Sequence, residues 1–278
     1  MKQGLFPDVP MDVYHSEKDF ASRSMLMDMR KSPLHCYANH FDPNRPVVVE
    51  KNDAYTLGSM FHTAVLEPHL FDKLYVVAPK VDRRTNVGKA AWQEFQESLL
   101  PGQEAVSKDF WDTALAMGAS VLRHTLARQI FAEGQAEVSA YALVNRVPCR
   151  VRPDWITPSI TADLKSTIDA SPEAFAKSVV RYGYDFQNAY YSDVLEAASN
   201  EKREEFFFVV CEKAYPFATA VYTLSKEDID YARGEYVYQL ERFAACRAAN
   251  HWPGYADTAV QLQLPAWRKS EEVEVEFV

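Results

Sequence analysis

The feature that most constrains the fold is a change of pattern at residue 137, where the helical spacing of apolar residues gives way to strands. Residues 137–144 have strand character, residues 145–146 form a polar turn, and residues 147–155 supply the partner strand. Residues 159–165 add a third short strand. A meander of this kind needs helices on its faces to bury its apolar side chains. The sequence therefore predicts a mixed sheet with this meander at its centre.

Helices and further strands surround the meander in the order expected for an α/β fold. Before it, apolar periodicity and capping serines predict helices over residues 22–30, 54–66, 92–100 and 108–131. After it, Ser171 and Pro172 open a helix, and the pattern predicts a helix over 184–198, strands over 205–211 and 217–223, and a final helix over 226–250. The predicted fold is therefore α/β, with a mixed central sheet flanked by helices.

The chain has 278 residues, of which 47% are hydrophobic and 25% charged. A chain of this length can bury a full hydrophobic core without disulfides or a structural metal. We expect one domain over residues 1–278, with an N-terminal arm (1–50), a core (54–250) and a C-terminal tail (251–278). No run of about 18 apolar residues could cross a membrane, and the start lacks the apolar stretch of a signal peptide. We therefore expect a cytoplasmic protein with no membrane partner.

The net charge of −9 argues against a protein that coats nucleic acid by bulk attraction. It leaves open a local basic groove, or carboxylates that collect metal ions. The four cysteines form no C-x-x-C pair, so their spacing does not favour a zinc or iron–sulfur site.

The most informative cluster is R-P-D at residues 152–154, followed by D-L-K at 163–165. Because alternate residues of a strand share a face, Asp163 and Lys165 should project together, while Leu164 enters the core and leaves its carbonyl near the same edge. Asp154 on the adjacent strand can converge on that place. Carboxylate and carbonyl oxygens suit Mg²⁺ or Mn²⁺, and a nearby lysine can activate water. The arrangement fits metal-assisted hydrolysis of a phosphodiester.

Simpler interpretations stand beside this one. D-x-K is a common pattern, Asp154 could cap a turn, and Lys165 could be an exposed lysine at a strand edge. Gly58 and His62 lie one turn apart on a predicted helix, where the histidine could ligate a metal or simply be packed. Gln187 and Tyr191 share a face of a later helix in the same way, and such a pair is often a solvent-exposed pair with no functional role.

Taken in order, these motifs resemble those of a known family. G-x-x-x-H at 58–62, a glutamate at 137, R-P-D, D-L-K and Q-x-x-x-Y at 187–191 are similar to the series found in the RecB-type branch of the PD-(D/E)xK nucleases. With the flanking segments 13–16, 32–33, 84–89 and 149–155, the chain most closely resembles the nuclease domain of the RecE exonuclease family (exodeoxyribonuclease VIII) from about residue 6 to 245. The resemblance implies a restriction-endonuclease-like core.

The resemblance also implies roles for the motif residues. Asp154 and Asp163 would be the principal metal ligands, joined by the Leu164 carbonyl and by His62, and Lys165 would position and activate the attacking water. Glu137 would reach the metal directly or through water, or support a second metal site. Gln187 and Tyr191 would orient the lysine, the metal-bound water or the DNA strand. The chain departs from the commonest pattern in having aspartate as the second acid, and it lacks the cysteine series of iron–sulfur members.

By the same resemblance, the expected activity is Mg²⁺-dependent degradation of one strand of linear duplex DNA from its 5′ end, with Mn²⁺ able to substitute. The products would be 3′ single-stranded tails for recombination. Expected partners are double-stranded DNA ends, a single-strand annealing protein of the RecT type, and further copies of the chain in a ring tetramer. The alternatives are an endonuclease, a nuclease module acting with a helicase, or an inactive DNA-binding relic of the fold.

Two further segments carry expectations. Arg83, Arg84 and Lys89 lie in a basic stretch, expected to be an exposed loop, that either contacts DNA phosphates or is only solvated. This stretch is not a P-loop, because the required upstream glycine and the serine or threonine are absent. The aromatic residues Trp252, Tyr255 and Trp267 are expected to serve in packing or oligomer contacts, with the part of the N-terminal arm before Pro33 as a second candidate contact surface.

Overall fold

A computed structural model describes residues 2–46 and 53–264 of the chain. The strands are β1 (Gly4–Phe6), β2 (Tyr75–Val77), β3 (Glu104–Val106), β4 (Gln135–Ala136), β5 (Ser139–Val144), β6 (Val147–Val151), β7 (Trp155–Ile156), β8 (Ile160–Thr167), β9 (Glu205–Glu212) and β10 (Thr219–Tyr222). The helices are α1 (Met11–Ser16), α2 (Arg23–Lys31), α3 (Pro33–His40), α4 (Asp53–Leu66), α5 (Pro68–Leu74), α6 (Asn86–Ser98), α7 (Lys108–Arg123), α8 (Thr125–Ile130), α9 (Pro172–Tyr182), α10 (Tyr184–Ser199) and α11 (Lys226–Ala249).

Strand β8 is the middle strand of a mixed five-stranded sheet with the order β10-β9-β8-β7-β4. It runs parallel to β9 and antiparallel to β7. On one face, Leu164 is fully buried in a cluster with Met60 of α4 and Met117 of α7. Asp163 and Lys165, its neighbours in β8, lie on the opposite face, which α9 and α10 cover. The sheet therefore presents its polar D-x-K residues towards α10.

The meander is the part of the predicted topology that is wrong. Residues 147–155 do not form one strand, because β6 ends at Val151 and β7 begins at Trp155. The β5–β6 hairpin pairs with β1 in a separate three-stranded sheet, and β7 and β8 belong to the five-stranded one. Pro153 lies at the break, where it has no N–H to continue a ladder. The resulting bend carries Asp154 to the edge of β8.

Two of the predicted helix boundaries also differ. Helix α6 begins at Asn86, capped by Thr85, whose Oγ1 accepts from the N–H of Gly88 at 3.0 Å, so Lys89 lies in a helix and not in the expected loop. The single helix expected over 108–131 is two helices, because the ring of His124 accepts from the N–H of Ala127 and starts α8 anew.

The N-terminal arm belongs to the same core as the hairpin. Helix α2 buries Met25, Leu26 and Met29 in a cluster that includes residues of β5, β6, α10 and α11. Ser22 caps α2, since its Oγ accepts from the N–H of Met25. This packing makes the segment 22–40 an integral part of the fold.

Of the three C-terminal aromatic residues, the structure describes Trp252, which is packed, and Tyr255, which is exposed. Trp252 lies against Phe41 and Phe243 with ring centroids 5.3 and 5.9 Å away, so its contacts are within the chain. Tyr255 is 74% exposed. Trp267 and residues 271–278 lie outside the described residues. Among the described helices, none is both long and apolar enough to span a membrane.

Candidate metal centre and active site

Three elements bring His62, Glu137 and Asp154 together. His62 lies on α4, Glu137 lies in the short connection between β4 and β5, and Asp154 lies in the bend after β6. Glu137 has a positive φ of 54°. The backbone N–H of Glu137 donates to the carbonyl of Asp154 at 3.1 Å, which holds the two segments side by side. One potential ligand atom of each side chain lies within 4.8 Å of the other two. The sequence predicted all three residues, on segments far apart in the chain.

The backbone of β8 fixes Asp154 at the sheet edge. Its Oδ2 accepts from the N–H of Leu164 at 2.7 Å and lies 3.6 Å from Nδ1 of His62. The pairing of β7 with β8 stops at Ala162, so the backbone of Leu164 extends beyond the paired part of that edge. The Leu164 carbonyl interacts with His62. The expected carbonyl ligand is thus close to the imidazole and the first carboxylate.

Electrostatic crowding marks this cluster as a site for a cation. Burial and the nearby Asp163 carboxylate raise the pKa of Asp154 far above its ordinary value. Burial and the Asp154 carboxylate raise the pKa of Glu137 to about 7, against the opposing effect of Arg152. Burial, together with the charge of Lys165, lowers the pKa of His62, which favours the neutral imidazole that ligates metals.

The donor set fits a hard divalent cation. Two carboxylates, a backbone carbonyl and one imidazole are ligands used for Mg²⁺ and Mn²⁺, and the negative charge that burial penalises is what such an ion would balance. His62, Glu137 and Asp154 would hold the ion, with the Leu164 carbonyl beside them. A cavity of about 580 Å³ opens onto His62 and Glu137 and gives access from solvent.

Arg152 holds Glu137 in place. Its Nε donates to Oε2 of Glu137 at 2.8 Å, and its Nη1 donates to the carbonyl of Val9 at 2.7 Å. The R-P-D motif contains this arginine, but no role for it was predicted. Its position two residues before Asp154 was the signal available.

Asp163, Lys165 and Gln187 form a second, connected group on the α10 side. The Lys165 ammonium pairs with Oδ2 of Asp163 and donates to Oε1 of Gln187 at 3.3 Å. Nε2 of Gln187 donates to Oδ1 of the same aspartate, so the amide bridges acid and base. Burial lowers the pKa of Lys165, but the Asp163 and Asp154 carboxylates outweigh it and raise the pKa above its ordinary value. The lysine is therefore held as a fixed cation.

Asp163 is placed differently from the three clustered ligands. Its described contacts are with Lys165 and Gln187, although its charge acts on Asp154. The geometry therefore groups His62, Glu137 and Asp154 most closely and joins Asp163 to the lysine. Its role as a principal metal ligand stays a prediction.

Two tyrosines of α10 flank the group. Nζ of Lys165 lies 4.5 Å from the ring centroid of Tyr184, a contact that the sequence analysis missed, although Tyr184 stands three residues before Gln187 on the same helix face. Tyr191 is half-buried and packs against the core, and burial raises its pKa well above the ordinary value. Its expected contact with the water or the DNA strand stays a prediction.

The basic stretch lies apart from the described contacts of the site. Arg84 forms a bidentate pair with Asp82, and the guanidinium of Arg83 lies 3.5 Å from the ring centroid of Trp92. Lys89 is exposed on the first turn of α6. The role of these residues in DNA binding stays a prediction.

Comparisons with known proteins show the family and the fold. Residues 22–264 match the family described as "PDDEXK-like domain of unknown function (DUF3799)". No curated protein matches the sequence. Among solved structures, the crystal structure of a "Putative exonuclease" from Eubacterium rectale is similar, with a TM-score of 0.63 and 14% identity over 96% of this chain and 99% of that one. At this identity the likeness shows the fold, and the predicted restriction-endonuclease-like core is confirmed.

Proposed function

Because this chain belongs to the family of PDDEXK-like domains (DUF3799), within the PD-(D/E)xK nuclease superfamily, we propose that it is a divalent-metal-dependent nuclease that hydrolyses phosphodiester bonds of DNA. The observation that carries the proposal is the convergence of His62, Glu137 and Asp154 beside the paired Asp163 and Lys165. A structural ion pair alone would not require three further acidic or imidazole groups beside it.

The chain's own residues divide the chemistry. A bound Mg²⁺ would supply Lewis acidity towards the phosphate and lower the pKa of water. Asp154, Glu137 and His62 would hold that ion. The fixed Lys165 ammonium can donate to the attacking water or to a phosphate oxygen and stabilise the negative charge of the transition state. Gln187 keeps the Lys165 ammonium in position, because its amide is hydrogen-bonded both to Lys165 and to Asp163.

The finer function rests on the resemblance to the RecE family. We propose Mg²⁺ as the metal, 5′-to-3′ degradation of one strand of linear duplex as the reaction, and 3′ tails for recombination as the product. A ring of four copies and a RecT-type annealing protein belong to the same proposal. The description of the Eubacterium rectale protein as an exonuclease supports an action at ends, as does the low bulk attraction of a chain of net charge −9 for DNA.

One experiment tests the proposal directly. The purified chain is incubated with linear duplex labelled at the 5′ or the 3′ end, and with covalently closed circular duplex, in Mg²⁺ or in EDTA. We expect Mg²⁺-dependent release of nucleotides from the 5′ end of the linear DNA only. Lys165→Ala should be inactive. Loss of label from the 3′ end first would reverse the polarity, nicking of circles would indicate an endonuclease, and no cleavage in Mg²⁺ would indicate a relic.

A further inference from the structure

A second cavity, of about 400 Å³, lies where the carboxyl ends of the parallel strands β8 and β9 meet helices α9 and α10. This size falls in the ~300–1,000 Å³ range of clefts that hold small molecules or parts of larger ones. The carboxyl ends of parallel strands are a usual place for ligands in α/β sheets. Its walls include Lys165, Ser178, Arg181, Tyr182, Tyr184 and Lys213.

This second cavity is basic in a chain that is acidic. Lys165, Arg181 and Lys213 contribute three cations to its walls, and Asp169 contributes one carboxylate. Neither Arg181 nor Lys213 forms an ion pair with any residue that the structure describes, whereas Lys165 is paired with Asp163. Two cations are therefore available to an anion beside the catalytic lysine.

An aromatic surface accompanies the cations. Tyr182 is 48% exposed, and the guanidinium of Arg181 lies 5.4 Å from its ring centroid. Ile168 at the rim is 89% exposed. Cations that track a phosphate backbone, beside aromatic rings on which bases can stack, are the combination that binds a nucleic-acid strand without reading its sequence.

The second cavity adjoins the metal centre. Gly58 lines the first cavity and Ser166 lines the second, and a Cβ added to Gly58 would lie only 3.9 Å from Oγ of Ser166. Helix α4 at Gly58 and strand β8 at Ser166 therefore lie close together, and Lys165, whose charge acts on His62 and Asp154, lines the second cavity. A strand whose scissile phosphate lay at the metal centre could continue past Lys165 into the second cavity.

We propose that this second cavity binds the cleaved DNA strand next to the scissile phosphate, with Arg181 and Lys213 on the backbone phosphate and Tyr182 against a base. The ligand class is a nucleotide of any sequence within a DNA strand. This inference rests on the proposed nuclease function and adds to it the path of the strand. Binding here would keep the substrate in register with Lys165 between successive cuts.

The test compares Arg181→Ala, Lys213→Ala and the double variant with Lys177→Ala, which removes an exposed lysine of α9 outside the cavity. We expect KM for end-labelled duplex to rise roughly three- to tenfold for each single variant, and the log–log salt dependence to flatten by about 0.7 to 0.9 per lost contact, with kcat little changed. Lys177→Ala should behave as the wild type. A double variant indistinguishable from Lys177→Ala in both KM and salt slope would overturn the proposal.

The aromatic wall has its own conservative control. Tyr182→Ala should raise KM by roughly tenfold through loss of base stacking, and Tyr182→Phe should restore it. The hydrogen bond from Arg23 to residue 182 uses the backbone carbonyl, so both variants keep it. If Tyr182→Phe is as impaired as Tyr182→Ala, or if neither differs from the wild type, stacking at this position is refuted.

The outcomes separate this inference from the function on which it rests. Cleavage by the wild type that is lost in Asp154→Asn establishes the nuclease whatever the cavity variants do. If the wild type does not cleave, the proposed function fails, and the same variants are compared by fluorescence anisotropy of a fluorescein-labelled duplex in EDTA. Weaker binding by the double variant alone then supports the cavity as a DNA site, and unchanged binding overturns it.

Discussion

Oδ2 of Asp154 accepts a hydrogen bond from the backbone N–H of Leu164 at 2.7 Å. The leucine side chain is fully buried in the core between the sheet and α4 and α7, so the N–H that holds the carboxylate cannot move without disturbing that core. A carboxylate anchored in this way is pre-organised as a ligand. The cost is that its charge is desolvated beside another carboxylate.

The first prediction concerns the pH dependence of stability in the absence of metal. Burial and Asp163 raise the pKa of Asp154 in the folded state above its unfolded value of about 4. The folded protein therefore binds the extra proton, and this contribution to stability is complete below pH 4 and is lost as the pH rises through the raised pKa. In EDTA, the free energy of unfolding from denaturant titrations should fall from pH 5 to pH 8.

Asp154→Asn should remove much of that fall and raise the free energy of unfolding at pH 8 by roughly 1 to 2 kcal/mol, while abolishing cleavage. The amide oxygen can still accept from Leu164. Asp72→Asn, at an exposed position, should leave the profile unchanged. An Asp154→Asn profile parallel to that of the wild type would contradict the argument.

The second prediction is that metal stabilises the fold through the three clustered ligands. A ligand that binds only the folded state adds about 2.7 kcal/mol at a concentration of 100 times its Kd. Titration with Mn²⁺ or Mg²⁺ should therefore raise the Tm of the wild type. Glu137→Gln and His62→Ala should show much smaller shifts. His69→Ala, an exposed histidine seven residues further on, should respond as the wild type does.

Mn²⁺ should rescue part of the activity of His62→Ala, because it tolerates a wider set of ligands than Mg²⁺. Equal metal-induced shifts in Tm for His62→Ala and the wild type would place the ion elsewhere.

The third prediction assigns Gln187 a positioning role. Its amide bridges Asp163 and Lys165, so Gln187→Ala should leave the lysine charged but poorly aimed. We expect kcat to fall by about 10- to 100-fold with KM nearly unchanged, since a displacement of about 1 Å can cost 10²-fold. Asn188→Ala alters the next residue, which lines a cavity between α10 and α11, and should keep kcat. A fall confined to KM would instead indicate a DNA contact.

Local chemistry in the sequence singled out Asp154, Asp163 and Lys165, and the family resemblance added Glu137, but neither predicted the surroundings of these residues. The alternation of side chains along β8 predicts which face of the sheet each of Asp163, Leu164 and Lys165 occupies, because this two-residue period does not depend on the neighbouring strands. The break at Pro153 was overlooked, since the strand pattern continues on both sides of it and only the sheet partners distinguish one strand from two. Arg181 and Lys213 could not be found, because the approach of Arg181 to Lys165 depends on how α9 packs on the sheet, and that of Lys213 depends on the pairing of β9 with β8.

The fourth prediction concerns the basic stretch. If Arg83, Arg84 and Lys89 contact phosphates, replacing all three by alanine should raise KM and flatten the log–log salt dependence by up to ~0.9 per contact. Arg84 is already paired with Asp82, so Arg84→Ala should have a smaller effect than Lys89→Ala. Asp82→Ala should tighten binding by about two- to threefold. An unchanged slope in the triple variant would identify the stretch as solvated surface only.

The last prediction is that cleavage depends on ends and on assembly. A chain of net charge −9 has little general attraction for DNA, so an exonuclease that stays on its substrate needs another means of retention, and a closed ring supplies one by enclosing the duplex. Rings arise when a heterologous interface repeats around an axis.

Trp252 is packed against Phe41 and Phe243 within the chain. The contact surface of the C-terminal segment should therefore be the exposed residues that follow, where Val260, Leu262 and Leu264 are 64%, 82% and 59% exposed. Sedimentation should show a tetramer that shortens long linear duplex by many nucleotides per encounter in the presence of competitor DNA. Leu262→Asp should yield smaller species that still cut but release the DNA after few steps. A monomeric wild type that nicks closed circles as fast as it digests linear duplex would refute both the ring and the exonuclease.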